Sequence, residues 1–182
     1  MTEYQLLLLL AGIFVFSFVA LWATEAFGFY RKYHGERLIT CPETKKTEAV
    51  KIAMGKAAMK AVIEPELRLS DCTRWPERSD CGQYCLSQIE EAPEECLVSH
   101  IVAEWYEGRA CVYCGRPFSH LEWHDHKPAL LAPDGAIVSL RDLPAQKLPE
   151  LFRTHSPVCW KCCVAENFRH EHAEIVTDRR EH

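Results

Sequence analysis

Four cysteines arranged as two couples are the residues of this chain whose type and spacing point most directly to chemistry. Each couple has the spacing C-x-x-C, and a few dozen residues separate the two couples. That arrangement is typical of a tetrahedral zinc site with four thiolate ligands. Rubredoxin-type iron takes the same four sulfurs, so zinc is favoured and iron stays open. The four predicted ligands are Cys111, Cys114, Cys159 and Cys162.

A second possible metal quartet lies upstream, with spacings that match no standard zinc finger. Zinc, an iron–sulfur cluster and unligated or redox-active thiols all remain open for it. Cys96 is a fifth candidate ligand, and Cys163 is expected to be a buried packing residue beside the downstream site. The upstream quartet consists of Cys41, Cys72, Cys81 and Cys85.

An uncharged apolar run over residues 6–23 precedes all the cysteines. As a helix it would be about 27 Å long, which is close to the hydrocarbon thickness of a bilayer. Aromatic residues such as Tyr4 and Trp22 stand near its ends, as expected at a membrane interface. A cleaved signal peptide is disfavoured, because the first five residues carry Glu3 and no basic residue. The lipid bilayer is therefore a predicted partner.

Basic residues predict how this helix is oriented. None precede the apolar run, whereas Arg31, Lys32 and Arg37 follow it closely. The positive-inside rule then puts the N-terminus outside and the rest of the chain in the cytoplasm. The chain has 10 cysteines, and in a reducing cytoplasm so many cysteines favour metal ligation over disulfides.

The helices and strands predicted around these cysteines indicate an α+β fold. We expect a transmembrane anchor with its juxtamembrane segment over 1–34, a cysteine-rich α+β region over 35–107 and a zinc-binding region over 108–182. Periodicity and turn residues predict the elements. They comprise strands over 37–40 and 49–53, helices over 85–91, 94–107, 143–152 and 163–172, and a hairpin of 128–131 with 136–140, while 55–63 stays ambiguous between helix and strand.

The order of elements around the downstream couples resembles the treble-clef zinc finger, over residues 108–172 only. Cys111-Val-Tyr-Cys114-Gly115 is similar to a zinc knuckle, in which glycine allows amides to point back at sulfur. A hairpin follows, and then a helix whose first turn carries the second couple. Because treble clefs serve many unrelated functions, this resemblance implies a fold and a metal site and no particular activity.

Within treble clefs, the HNH nucleases have a similar order of motifs, with an Asp-His pair between the couples. On that resemblance, His126 of Asp125-His126 would be the general base, and His170 or Asn167 would help to bind a catalytic metal. Two departures disfavour it. Cys163 stands where that family usually has asparagine, and no glycine-rich loop follows the histidine.

Composition disfavours nucleic acid as a partner, because the formal net charge is −5 with no basic tract. The apolar anchor, a four-cysteine site with no open position and the lack of a convincing catalytic set favour a binding role over an enzymatic one. We therefore expect a membrane-anchored zinc-binding accessory subunit that braces the cytoplasmic partners of a larger membrane complex. Iron-based electron transfer is the alternative, an HNH-type hydrolase a further one, and thiol oxidoreductase chemistry a fourth.

Overall fold

The chain is a mixture of helices and sheets, as predicted, in a computed structural model that describes residues 3–54, 67–78, 80–118, 129–140 and 142–172. The ambiguous segment 55–63 lies outside these residues. By the packing of its chain, the molecule divides into two units, Met1–Leu97 and Val98–His182. The predicted domains 1–34, 35–107 and 108–182 are instead based on the apolar run and on the positions of the cysteines, and these boundaries stay a prediction.

Helix α1 (Glu3–Tyr33) is the longest element. Its 31 residues span about 46 Å at 1.5 Å per residue. All described side chains from residue 3 to residue 25 are exposed although almost all are apolar. The helix is thus long and apolar enough to cross a membrane. It continues beyond the predicted apolar run because Phe29 and Tyr33 pack on the core of the first unit.

The first unit contains a three-stranded antiparallel sheet in the order β1-β2-β3. Its strands are β1 (Glu36–Thr40), β2 (Thr47–Ile52) and β3 (Leu69–Cys72). Leu38 of β1 faces Ala49 of β2 in the register. The alternation of apolar and charged residues over 49–53 predicted β2, and the structure confirms that strand. Helix α2 (Leu86–Glu91) covers the sheet with Ile89, which is fully buried.

Arg37 joins the end of α1 to β1. Its side chain is completely buried. The guanidinium donates to backbone carbonyls of Tyr33 at 2.7 Å, Gly35 at 3.3 Å and Lys32 at 2.5 Å. The last carbonyls of a helix have no partner within the helix, and a cation is favourable at that end. This arginine therefore caps α1 and fixes where the apolar helix meets the folded unit.

The second unit begins with α3 (Val98–Tyr106) and contains a second antiparallel sheet in the order β5-β4-β6. Tyr106 is fully buried, and its hydroxyl donates to the carbonyl of Ala129 at 2.8 Å. The sheet and its flanking elements are β4 (Ala129–Leu131), β5 (Ile137–Ser139), a 3₁₀ turn (Ala145–Lys147), α4 (Leu148–Thr154), β6 (Ser156–Val158) and α5 (Trp160–Glu171).

Three predicted helices begin at a different residue in the structure. The helix predicted over 143–152 is a 3₁₀ turn (Ala145–Lys147) followed by α4 (Leu148–Thr154). Helix α3 was predicted from residue 94 but begins at Val98, because a turn in which the Leu97 amide donates to the Glu94 carbonyl precedes it. Helix α5 was predicted from residue 163 but begins at Trp160, so that Cys162 lies in its first turn. The predicted hairpin is confirmed in β4 and β5, which pair antiparallel.

Candidate metal centre

The first cysteine couple lies in a tight turn between α3 and β4. The amide of Gly115 donates to the carbonyl of Cys111 at 2.8 Å, and the amide of Cys111 donates to the carbonyl of Arg116 at 2.9 Å. Gly115 has a φ of +67°, a left-handed conformation that costs an L-residue about 1–2 kcal/mol. The glycine after the couple is therefore explained by the turn, as the knuckle resemblance implied.

The second couple lies where β6 passes into α5. Cys159 is the N-cap of the helix, with extended backbone, and Cys162 lies three residues further on in the first turn. Residues three apart on a helix share one face. Strand β6 pairs with β4, and the Val112 amide of the first couple donates to the carbonyl of Pro157 in β6 at 3.1 Å. These contacts bring the two couples together.

The four sulfurs converge in the structure. They all lie within 4.8 Å of one another, and those of Cys114 and Cys159 are 3.8 Å apart. Cys111 is buried, Cys114 is exposed and the two helix cysteines are half-buried. Four cysteines so close together could bind a metal ion. Zinc and iron both accept a tetrahedral set of four thiolates, so this geometry leaves the identity of the ion undetermined.

Hydrogen bonds from backbone amides lower the pKa of the Cys111 thiol. Burial acts to raise its pKa, but amide hydrogen bonds from Cys159, Cys114 and Tyr113 outweigh it and bring the pKa to about 6. The Cys159 amide is 3.3 Å from the Cys111 sulfur. Burial and the neighbouring sulfurs raise the pKa of Cys162. One thiolate is thus stabilised before a cation arrives, whereas the Cys162 thiol needs the cation's charge to lose its proton.

Cys163 packs beside the cluster without belonging to it. It is buried in the core of the second unit. Its sulfur lies 3.9 Å from the side-chain amide nitrogen of Asn167, one turn further along α5. The expectation that Cys163 is a packing residue and not a ligand therefore agrees with its position.

The residues of the nuclease resemblance are only partly described. Asp125 and His126 lie outside the described residues, as do His120 and His124. Asn167 is engaged with the Cys163 sulfur, and His170 is exposed near the end of α5. The structure thus leaves the HNH-type prediction untested.

The upstream cysteines line a single cavity in the first unit. Cys41 follows β1, Cys72 ends β3, and Cys85 is the N-cap of α2. Cys81 lies in the segment before α2. Among the described residues, however, only the downstream four are gathered into a metal-sized cluster. The predicted second site therefore stays a prediction, although one cavity contains all four of its candidate ligands.

Two features of this cavity were not predicted from the sequence. Arg74 donates from Nη1 to the Cys41 sulfur at 3.3 Å and to a Glu43 carboxylate oxygen at 2.6 Å. Burial acts to raise the pKa of Cys41, but hydrogen bonds from Thr44, Glu43 and Arg74 lower it overall. The second missed feature is the turn that follows Cys41. Its signal was weak, because a knuckle is normally recognised by a second cysteine and a glycine, and this turn has neither.

The fifth candidate, Cys96, lies apart from the cavity lining. Its sulfur lies 3.6 Å from the carbonyl of Gln88, and its own carbonyl accepts from the Leu38 amide at 2.8 Å. It therefore joins α2 to β1.

No family model matches this chain, and no curated protein or solved structure matches it either. The function must therefore be argued from the site and from the apolar helix.

Proposed function

We propose that this protein is a single-pass membrane subunit with a cytoplasmic zinc-binding region, stabilised by an ion at the downstream cysteines, that braces the partners of a larger membrane complex. The observation that carries the proposal is the convergence of the sulfurs of Cys111, Cys114, Cys159 and Cys162 to within 4.8 Å. Four protein ligands fill a tetrahedral zinc site, whereas catalytic zinc usually keeps one position for water or substrate. Such a site stabilises a small fold and offers no place for a reaction.

The size of the second unit supports a structural role for the ion. Its described sheet has three strands of three residues each, and domains this small often need a metal to replace the core they lack. The core beside the cluster consists of Cys111, Ala129, Val158 and Cys163, with a few partly buried neighbours. A bound ion would join the knuckle to α5 across that core.

Helix α1 supports the membrane assignment. Its exposed apolar side chains would be costly in water over a length that matches a bilayer. The basic residues Arg31 and Lys32 lie in its last turn. Together with the positive-inside rule they favour a cytoplasmic location for both units. Cytoplasmic thiols stay reduced and remain available for metal.

An apolar stripe on α5 supports a partner for the second unit. Trp160, Val164 and Phe168 are spaced four residues apart, so they lie on one side of the helix. Their side chains are 42, 45 and 52% exposed. Aromatic residues exposed in a row often mark protein contacts.

Metal analysis of the full chain, purified in detergent under reducing conditions, tests the identity of the ion. Stoichiometric zinc in a colourless protein would support the structural subunit. Iron–thiolate charge-transfer bands in the visible spectrum would instead support electron transfer, the second candidate, which the same four-sulfur cluster could serve.

The accessory role is tested in native membranes. A tagged full chain should migrate with other membrane proteins in stoichiometric amounts on native gels. Replacing Trp160 and Phe168 by serine should release it from them. Lys161→Gln, on the same helix but outside the stripe, is the matched control. Migration as a lone polypeptide would contradict the accessory role while leaving the metal site intact.

A further inference from the structure

The turn after Cys41 has the same backbone hydrogen bonds as the turn after Cys111. The Lys45 amide donates to the Cys41 carbonyl at 2.8 Å, and the Cys41 amide donates to the Lys46 carbonyl at 2.9 Å. Both distances equal those of the downstream knuckle. Lys45 has a φ of +58°, where the downstream turn has Gly115 at +67°. The first unit thus presents a cysteine at the start of a knuckle-shaped turn.

Three further cysteines face the cavity beside this turn. Cys72 and Cys85 are buried and Cys81 is half-buried. They come from three different places, namely the end of β3, the N-cap of α2 and the segment between them. Cys72 of β3 pairs with Val50 of β2. Together with Cys41 after β1, these thiols line one small cavity and form a donor set that soft metal ions prefer.

Arg74 gives this cavity the cation that an anionic site needs. A divalent ion bound by four thiolates carries a net charge of −2. The Arg74 guanidinium lies between the Cys41 sulfur and the Glu43 carboxylate, and its side chain is only 15% exposed. Hydrogen bonds from outer groups orient metal ligands and tune the site. Arg74 is therefore placed to donate to a metal-bound thiolate.

We propose that Cys41, Cys72, Cys81 and Cys85 bind a second zinc ion, with Arg74 donating a hydrogen bond to the Cys41 thiolate. Binding converts four thiols into four thiolates and releases their protons to water, with no change of oxidation state. The sulfurs draw together around the ion. The inference rests on the cytoplasmic location in the proposed function, because an oxidising compartment would favour cystines.

The zinc content of the full chain tests this second site. The native protein, expressed with zinc and purified without chelator, should contain two zinc ions per chain. Cys72→Ser with Cys85→Ser should contain one. Cys96→Ser is the matched control, since Cys96 belongs to the same unit but not to the cavity, and it should keep two.

The downstream variant Cys111→Ser with Cys159→Ser separates this inference from the proposed function. It should keep one zinc ion, and that ion should be lost when the upstream substitutions are added. If the native chain contains one ion that only the downstream variant loses, the second site is wrong and the first stands. If only the upstream variant loses it, the first site is wrong and the second stands.

Arg74→Met keeps the inference testable should the cysteine variants fail to fold. In the presence of a competing chelator, it should release one of the two zinc ions at least tenfold faster than the native chain does, and the other at an unchanged rate. Equal release of both ions in the variant and the native chain would overturn the role given to Arg74. Cystines among the four cysteines in unreduced native protein, or iron in place of zinc there, would overturn the zinc site itself.

Discussion

The turns that follow Cys41 and Cys111 have the same backbone hydrogen bonds but differ at the two positions that define the zinc-knuckle motif. Where the downstream turn has Cys114 and Gly115, the upstream turn has Thr44 and Lys45. The backbone shape of a zinc knuckle therefore does not require the sequence C-x-x-C-G. What the motif adds is a second ligand from the same turn and relief from the cost of a left-handed residue.

The two cysteine sets also differ in how far along the chain their members lie. Downstream, each of two local turns supplies two sulfurs, and one strand pairing brings the turns together. Upstream, the four cysteines come from the end of β1, the end of β3 and the residues that lead into α2. A locally built site needs few long-range contacts, which explains why the downstream sulfurs are already gathered.

The strongest test removes the downstream site. In Cys111→Ser with Cys159→Ser, the second unit should lose its ion and its stable fold, because structural zinc contributes on the order of 10 kcal/mol. Hydrogen exchange of β4 and α5 amides, measured on the full chain in detergent, should become fast. The amides of β1 and β2 should stay protected. Cys163→Ala, beside the ligands but outside the cluster, should keep the ion and cost only about 1 kcal/mol.

The second test compares a buried cation of the first unit with an exposed one. Arg37→Met should destabilise the first unit by about 3 kcal/mol, because it leaves three carbonyls at the end of α1 without their charged donor. Faster exchange of β1 amides would measure the loss. Lys51→Ala is the control, since the exposed Lys51–Asp71 pair at 3.8 Å contributes about 0–1 kcal/mol. Equal effects of the two substitutions would refute the capping role of Arg37.

The third test exchanges the residues at the left-handed position of the two turns. Gly115→Ala should destabilise the second unit by about 1–2 kcal/mol. A Cβ there would meet nothing within 4 Å, so the cost comes from the backbone alone. Lys45→Gly should leave the first unit as stable as before or stabilise it by less than about 1 kcal/mol, because relief of φ is offset by the flexibility of glycine in the unfolded chain. Thermal unfolding of the zinc-loaded variants measures both changes in stability. If the two substitutions changed stability with the same sign and size, the two turns would not be equivalent.

A smaller loss than that of Gly115→Ala is expected for Tyr106→Phe. This substitution removes one buried hydrogen bond, to the Ala129 carbonyl, and should cost the second unit about 1 kcal/mol. Zinc content should not change. A loss of zinc would show that this hydrogen bond of α3 helps to hold the metal site.

Much of the fold could be predicted from the chain. The apolar run predicted α1, and the alternation of apolar and charged residues predicted β2. The turn Ala132-Pro133-Asp134-Gly135 predicted the hairpin of β4 and β5. Helix starts were less predictable. Acidic residues from Glu94 onward suggested a helix start, but the structure has a turn there before Val98. Cys159 became a helix N-cap because the pairing of β6 with β4 ends just before it.

The spacing of the two C-x-x-C couples, with a glycine after the first, predicted the downstream cysteine cluster, because such turns carry their geometry locally. The sequence also determined the apolar helix, since bilayer length and composition need no tertiary contact. Only the tertiary structure showed that Cys41 begins a knuckle-shaped turn, that Arg74 reaches its sulfur and that four scattered thiols line one cavity. Those facts depend on strand pairing between residues far apart in the chain, and linear spacing does not encode such pairing.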